Sequence, residues 1–247
     1  MIKIVENKNV DLSIYNDSES IKYLNENNRL TKSNLDYIME LMKKDYFIVP
    51  SKIVKQSWGA EKVFYPFSNK LFKVLSTHLG NTSLQLHPLK SEKYLSLSDK
   101  TIVLDESNEY DLKKFEFVDI KKNTIHCLKK DSKVFEEQDN NLFDSNETIR
   151  IYDSLGRSTN QPGEYYKYLL PQYKNNMFFD NCYENKYSLD CDKFIFIAEG
   201  KIIIEINNKE IILDKNEELY FISKNVKIKR ILGKIRIIDC IYYGMEK

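Results

Sequence analysis

Most of the chain after residue 69 consists of short segments of β-branched and aromatic residues separated by polar turns. Such segments are typical of β-strands, and their shortness and regular spacing favour a sandwich or barrel over a parallel α/β sheet. Two turns in the last block are predicted to be hairpins, at Asn207-Asn208 and at Glu199-Gly200. The predicted fold class is therefore mainly β, with blocks of strands at 70–153 and 193–243.

One segment near the N-terminus has a helical period instead. Apolar residues recur at helical spacing after Ser33, a suitable N-cap, and the pattern ends at Lys43 and Lys44, which predicts one amphipathic helix. The stretch 154–164, which concentrates Ser, Gly, Asn and Pro, is the predicted linker. The predicted domains are an N-terminal extension with the helix at 1–48, a first β domain at 49–157, and a linker with a second β domain at 158–247.

The charge balance limits the partners of the chain. Its 247 residues include 38 Lys and Arg against 37 Asp and Glu, a formal net charge of +1. Neutralising nucleic-acid phosphates or anionic lipids needs a concentrated excess of Lys and Arg, so neither partner is expected. No apolar run reaches the roughly 20 residues that span a bilayer, and the N-terminus lacks a signal-peptide core. The expected location is the cytoplasm.

The cysteines agree with that location. The four residues form no Cys-x-x-Cys pair and are too few for a disulfide scaffold: Cys127, Cys182, Cys191 and Cys240. Reduced thiols are therefore expected. One disulfide between Cys182 and Cys191 is the alternative.

Four side chains with metal-binding chemistry occur between residues 85 and 126. Gln85 and His87 are two positions apart, so on a strand both point to one face. Glu92 follows a turn that contains Pro88, and a returning hairpin strand would bring it toward His87, while His126 comes from a later strand. One amide oxygen, two imidazoles and one carboxylate suit a divalent cation, best zinc. The alternative is that Gln85 and Glu92 are exposed residues beside the turn.

The same segment resembles known motifs. Gln-x-His, then Glu after four residues, then a distant His, is similar to the His-x-His-x₃₋₄-Glu…His pattern of cupin barrels, with Gln in place of the first His. The run SLQLHP at 83–88 resembles the S-L-Q-V-H-P motif of type I phosphomannose isomerases (mannose-6-phosphate isomerases). Three more segments resemble elements of that family in the same order: Ser57-Trp58-Gly59, Lys90-Ser91-Glu92, and VFEEQ at 134–138 with TIRIYDSLGR at 148–157.

The resemblance covers about residues 50–245 and implies two cupin-like (jelly-roll) β-barrels, of which the second binds no metal. It implies that one zinc ion is bound by four residues: Gln85, His87, Glu92 and His126. It also implies that Lys90 and Arg150 act in catalysis and bind substrate, and that Ser83 lies near the sugar phosphate.

The implied reaction is the zinc-dependent interconversion of mannose 6-phosphate and fructose 6-phosphate, so the implied partner is a small phosphorylated sugar. One alternative is a metal-containing cupin that binds a sugar phosphate or sugar nucleotide without turnover. An iron cupin oxygenase is less favoured, because those enzymes use two His and one carboxylate with open positions. The apolar strands KIIIEI and KIRIIDC could also pair with another chain as edges and form a homodimer.

Departures from the family pattern affect the rim of the pocket more than the ligands. Leu89 replaces the usual acidic residue after His-Pro, and the family's insertion before the glutamate is missing. Without the motifs, Arg150 and Arg157 would be expected to pair with the acidic residues at 136–139, and Lys90 would be a solvated turn lysine. Two other residues are expected to be structural: Trp58 and His78.

Overall fold

The computed structural model describes Leu41 and residues 43–64, 70–105, 108–139, 148–156, 177–181 and 191–240. These residues lie almost entirely in strands and turns, with helical backbone at Leu41, which confirms the predicted mainly β class. The predicted helix after Ser33 lies outside the described residues except at its end, and so do Arg157 and Cys182. Within the described ranges, no helix is long and apolar enough to cross a membrane.

The described strands follow in chain order. They are β1 (Tyr46–Ile48), β2 (Ser51–Gln56), β3 (Gly59–Phe64), β4 (Leu71–Ser76), β5 (Leu84–Leu86), β6 (Glu92–Ser96), β7 (Thr101–Leu104), β8 (Glu109–Leu112), β9 (Glu116–Ile120), β10 (Cys127–Leu128), β11 (Lys133–Gln138), β12 (Ile149–Tyr152), β13 (Met177–Asn181), β14 (Lys193–Ile206), β15 (Lys209–Leu213), β16 (Glu218–Ile222) and β17 (Lys227–Asp239). Two compact units contain them.

The first unit comprises the described residues from 51 to 181. Its largest sheet is antiparallel, with the order β13-β9-β6-β11-β4-β3-β2. Two smaller sheets have the orders β10-β7-β8 and β12-β5. Apolar side chains from several of these strands share a buried core, which includes Trp58 as expected: Trp58, Leu75, Tyr94, Val103, Leu112, Val118, Ile120, Leu128 and Val134. His78 is exposed, with its Nδ1 3.4 Å from the hydroxyl oxygen of Ser76.

The second unit joins residues 43–50 to residues 191–240. β14 is its central strand and pairs with β15, β16 and β17, while β1 pairs with β16. The end of the predicted N-terminal extension therefore belongs to the C-terminal sheet. The core of this unit is rich in isoleucine, a residue that packs well on a pleated sheet.

One predicted hairpin is confirmed and the other is wrong. Asn207 and Asn208 join β14 to β15 with φ values of 51° and 62°, the left-handed conformation that a two-residue hairpin needs. At Glu199-Gly200 the chain does not turn back but continues through β14. Gly200 lies opposite Gly233 of β17, beside an irregularity in the pairing, so the glycines let two long strands bend together.

We expect the buried hydroxyl of Tyr220 to make the second unit sensitive to alkali. Tyr220 has no exposed surface, and burial raises the pKa of its hydroxyl to about 12, against an opposing hydrogen bond from the backbone N–H of Lys215. The unfolded pKa is about 10, so the stabilisation is complete below that pH and is lost as the pH rises through the folded value. Urea unfolding at pH 9, 10 and 11 should therefore show a smaller loss of stability in Tyr220→Phe than in wild type. Equal losses in both proteins would contradict this, and Tyr152→Phe at an exposed tyrosine is the control.

Candidate metal centre

The residues with metal-binding chemistry lie on a stretch of sheet made by three neighbouring segments. Gln85 in β5 pairs with Arg150 of β12 on one side and with His126 on the other. The pairing with His126 uses two backbone hydrogen bonds, of 2.9 and 2.8 Å. Residues directly opposite each other on antiparallel neighbours point to the same face. His126, Gln85 and Arg150 therefore lie side by side on one surface.

Glu92 reaches the same place from another sheet. The turn around Pro88 leads from β5 into β6, which pairs with β9 and β11 and not with β5. The expected return toward His87 is confirmed, because Glu92 Oε1 lies 3.2 Å from His87 Nε2. The expected hairpin is wrong, since the turn passes between two sheets. The two residues therefore meet through their side chains, without a shared backbone ladder.

Three buried side chains converge through their donor atoms. His87, Glu92 and His126 are 3%, 4% and 1% exposed, and one ligand atom of each lies within 4.8 Å of the others. The two oxygens of Glu92 are each 3.2 Å from a histidine, one from His87 Nε2 and the other from His126 Nε2. Two ligands about 2.1 Å from one zinc ion at the tetrahedral angle are about 3.4 Å apart. The spacing of these donors therefore fits one divalent cation.

The hydrogen bonding of His126 also fits a cation. Its Nδ1 lies 2.9 Å from the backbone oxygen of Thr124, and because that oxygen can only accept, Nδ1 carries the proton. In the neutral ring this leaves a lone pair on Nε2, which is buried and has no hydrogen-bond partner in the described part of the chain. The lone pair faces a Glu92 oxygen at 3.2 Å. Two buried electron-pair donors at this distance are stabilised by a cation between them.

The surroundings of Glu92 keep its carboxyl ionised. Lys90 Nζ lies 2.8 Å from Oε1, and the Tyr94 hydroxyl donates to Oε2 at 2.7 Å. Burial raises the pKa of Glu92, but the positive charge of Lys90, together with the neighbouring histidines, outweighs burial and holds that pKa well below its usual range. Burial and the charge of Glu92 raise the pKa of Tyr94 well above its ordinary value, so its hydroxyl remains a donor. The two oxygens of the ionised Glu92 carboxylate are therefore available to bind a cation.

Gln85 lies at the edge of this cluster. Its amide nitrogen is 3.3 Å from His87 Nε2, and its amide oxygen accepts a hydrogen bond of 2.7 Å from the hydroxyl of Ser83. Ser83 is almost fully buried. The oxygen that would bind a metal is therefore held by Ser83, and both the ligand role of Gln85 and the phosphate contact of Ser83 stay predictions.

Both cationic residues of the predicted site lie close to the cluster. Lys90 is 7% exposed and forms the ion pair with Glu92, so the interpretation as a solvated turn lysine is wrong. Arg150 is half-buried on the surface that carries Gln85. The acidic residues near 136 have lysine neighbours: Glu136 lies 3.9 Å from Lys73, and Glu137 lies 3.9 Å from Lys70.

Sequence reasoning assigns no role to several residues that support the cluster. Tyr94 lies two positions after Glu92 on the same strand, so the period of two could have found it. Thr124 supports His126 through its backbone oxygen, which no side-chain pattern reveals. Gln138 lies opposite Glu92 only because β11 pairs with β6. That proximity depends on strand order, which no spacing along the sequence reveals. No disulfide links the three described cysteines, which are Cys127, Cys191 and Cys240.

Comparison with solved structures identifies the fold. The mannose 6-phosphate isomerase from Bacillus subtilis matches with a TM-score of 0.56 at 11% identity, over 80% of this chain and 98% of that one. A candidate mannosephosphate isomerase from Archaeoglobus fulgidus matches with a TM-score of 0.51 at 11% identity, over 79% of this chain and 97% of that one. No protein-family model and no curated protein matches the sequence. At such low identity, the likeness shows a cupin-like β fold that this chain shares with those isomerases.

Proposed function

We propose that this protein is a zinc-dependent isomerase that interconverts mannose 6-phosphate and fructose 6-phosphate. The observation that carries the proposal is the buried cluster of His87, Glu92 and His126 with Lys90 against it. The fold supports it, because mannose 6-phosphate isomerases share that fold. Aldose–ketose isomerisation moves a proton between adjacent carbons, so it needs a proton carrier and a positive charge beside the reacting oxygens. Both kinds of group are present in the cluster.

His87, Glu92 and His126 would hold the cation, with Gln85 as the proposed fourth ligand. Imidazole and carboxylate donors suit zinc. A divalent cation bound there supplies Lewis-acid polarisation of the oxygens next to the carbon that loses its proton. Tyr94 and Thr124 orient Glu92 and His126 through hydrogen bonds of 2.7 and 2.9 Å. Partners of this kind fix the geometry of a ligand before the cation binds.

Lys90 is the proposed proton carrier: as the neutral amine it would take the proton from one carbon, and as the ammonium it would deliver that proton to the next. It enters the cluster from the turn between β5 and β6, and its ammonium is buried against Glu92 at 2.8 Å. A general acid or base must lie within hydrogen-bond reach of the proton it moves, directly or through one water. Arg150 lies on the same surface as Gln85 and His126, and its proposed role is to bind an anionic group of the sugar. The proposed partner is therefore a small phosphorylated sugar.

One observation favours the alternative of a metal-containing cupin that binds a sugar phosphate or sugar nucleotide without turnover. The ammonium of Lys90 already pairs with Glu92 at 2.8 Å. An ion pair that persisted in the complex would keep Lys90 from moving a proton. The two functions therefore differ in one measurable property, which is turnover.

A coupled isomerase assay with mannose 6-phosphate, together with elemental analysis of the purified protein, separates these functions. Zinc with turnover supports the isomerase, and zinc without turnover supports the binding protein. Iron with oxygen uptake would identify an oxygenase and contradict both.

Replacing Lys90 with methionine should lower kcat by about 100-fold or more, the usual effect of losing a general acid or base, with the zinc content unchanged. Methionine keeps much of the buried volume without the ammonium. Lys93→Met is the matched control, because Lys93 points to the other face of β6 and pairs with Asp119 at 3.5 Å. Unchanged turnover in Lys90→Met would exclude Lys90 as the proton carrier.

A further inference from the structure

Gln138 has a buried amide oxygen beside the metal cluster for which the proposed mechanism has no use. The residue ends β11, lies directly opposite Glu92 of β6, and is 1% exposed. Its Oε1 has no hydrogen-bond partner among the described residues. A buried acceptor that is left unpaired destabilises the fold, because it loses its hydrogen bonds to water without gaining others. An unpaired group of this kind next to a candidate site points to a ligand that satisfies it.

The opposite end of the same amide is fixed. Gln138 Nε2 donates a hydrogen bond to Glu136 Oε1, two positions earlier on the same face of β11. The Glu136 oxygen lies 3.9 Å from the ammonium of Lys73, its opposite neighbour on β4, and Lys73 lies 3.6 Å from Glu61. Burial and the charge of Glu92 raise the pKa of Glu136, against the opposing charges of Lys73 and Lys90. In its ionised form this carboxylate can only accept, so it selects the nitrogen side of the amide. Glu136 therefore turns the Gln138 oxygen away from itself.

A second unsatisfied polar atom lies near His126. Thr124 has no exposed surface, and its hydroxyl oxygen has no hydrogen-bond partner in the described ranges. Its backbone oxygen is the one that orients His126. Thr124 contacts the Nδ1 end of the His126 ring, whereas Glu92 faces the Nε2 end. The unsatisfied group directly opposite Glu92 is therefore the amide of Gln138.

We infer that Gln138 is a specificity-determining residue of this site, whose amide oxygen accepts a hydrogen bond from a hydroxyl group of the bound sugar. Glu136 is the positioning residue that sets the orientation of the amide. The inference rests on the proposed function for the identity of the ligand as a sugar phosphate. Sites built to pair a substrate hydroxyl reject analogues that lack it, because the buried acceptor is then left without a partner.

Binding without turnover tests this inference. Calorimetric titration of the zinc-loaded protein would use mannose 6-phosphate and its analogues that lack the hydroxyl at C2, C3 or C4. We expect Gln138→Met to retain zinc and to bind mannose 6-phosphate about tenfold more weakly than wild type. One analogue should bind wild type and Gln138→Met with equal affinity, because the contact is then absent in both. That analogue identifies the hydroxyl.

The matched control is Gln56→Met. Gln56 also donates its amide to a glutamate, Glu61, at 2.8 Å, but it lies on the edge strand β2, so sugar affinity should not change. Glu136→Leu should lose the same discrimination among analogues as Gln138→Met. Glu137→Gln, on the other face of β11, should keep it. If Glu136 had only a structural role, Glu136→Leu would have a lower thermal stability but would still discriminate among the analogues.

The outcomes keep the inference separate from the proposed function. Equal affinity of Gln138→Met and wild type for mannose 6-phosphate would overturn the inference, as expected if a buried water satisfies the amide. Binding that depends on Gln138 without turnover would support the inference and contradict the isomerase. Turnover by a protein whose sugar affinity does not depend on Gln138 would support the isomerase and contradict the inference. A wild type that binds none of the four sugars would overturn both.

Discussion

Replacing His126 with alanine should abolish metal binding, with a loss of affinity of at least 100-fold, since removing even an outer partner of a ligand costs 10–100-fold. His126 supplies one of the three converging donor atoms. The lone pair on its Nε2 also faces the Oε2 of Glu92 at 3.2 Å. Without the imidazole, the cluster keeps two donors from its own residues, His87 and Glu92. Turnover should disappear together with the metal.

Elemental analysis after dialysis against a weak chelator measures this effect. Circular dichroism must show that the variant is folded. His78→Ala is the matched control, because His78 is exposed and lies outside the cluster. Stoichiometric zinc in His126→Ala would exclude the assigned centre. Full activity in a metal-free protein would exclude the metal-dependent mechanism.

Replacing Gly233 with alanine should destabilise the second unit strongly, by about 3 kcal/mol or more. Gly233 has a φ of 125°, which side chains with a Cβ rarely adopt. A Cβ there would lie 2.2 Å from the backbone oxygen of Glu199 and 2.7 Å from Gly200 Cα. Both of these atoms belong to the backbone, so neither can move aside as a side chain could. Relief would require the long pairing of β14 with β17 to open at its centre.

Urea unfolding followed by far-ultraviolet circular dichroism measures this loss. Gly156→Ala is the control, since Gly156 has a φ of 72° and no atom lies within 4 Å of the position of its Cβ. That variant should lose only about 1–2 kcal/mol from the left-handed backbone. Equal losses in the two variants would show that the conformation of the glycine, and not the close approach of the strands, determines stability.

Part of the candidate site follows from local spacing. Gln85 and His87 share a face because side chains alternate along an extended chain. The position of His126 beside them depends instead on the pairing of two segments that are distant in the sequence. The hairpin expected before Glu92 is wrong because a turn containing proline does not specify which sheet receives the next strand. The same limit explains the wrong turn at Gly200, since glycine marks a bend as readily as a hairpin.

The sequence by itself determined the mainly β class, the asparagine hairpin and the identity of the candidate donors, because these depend on propensity and on periods of a few residues. Tertiary structure alone decided that Lys90 is buried against Glu92, that Glu92 meets both histidines, and that Gln138 lies opposite Glu92. The contact of Glu92 with His126 and its position opposite Gln138 join segments that are distant in the sequence. They depend on strand order and register, which the packing of the whole unit selects.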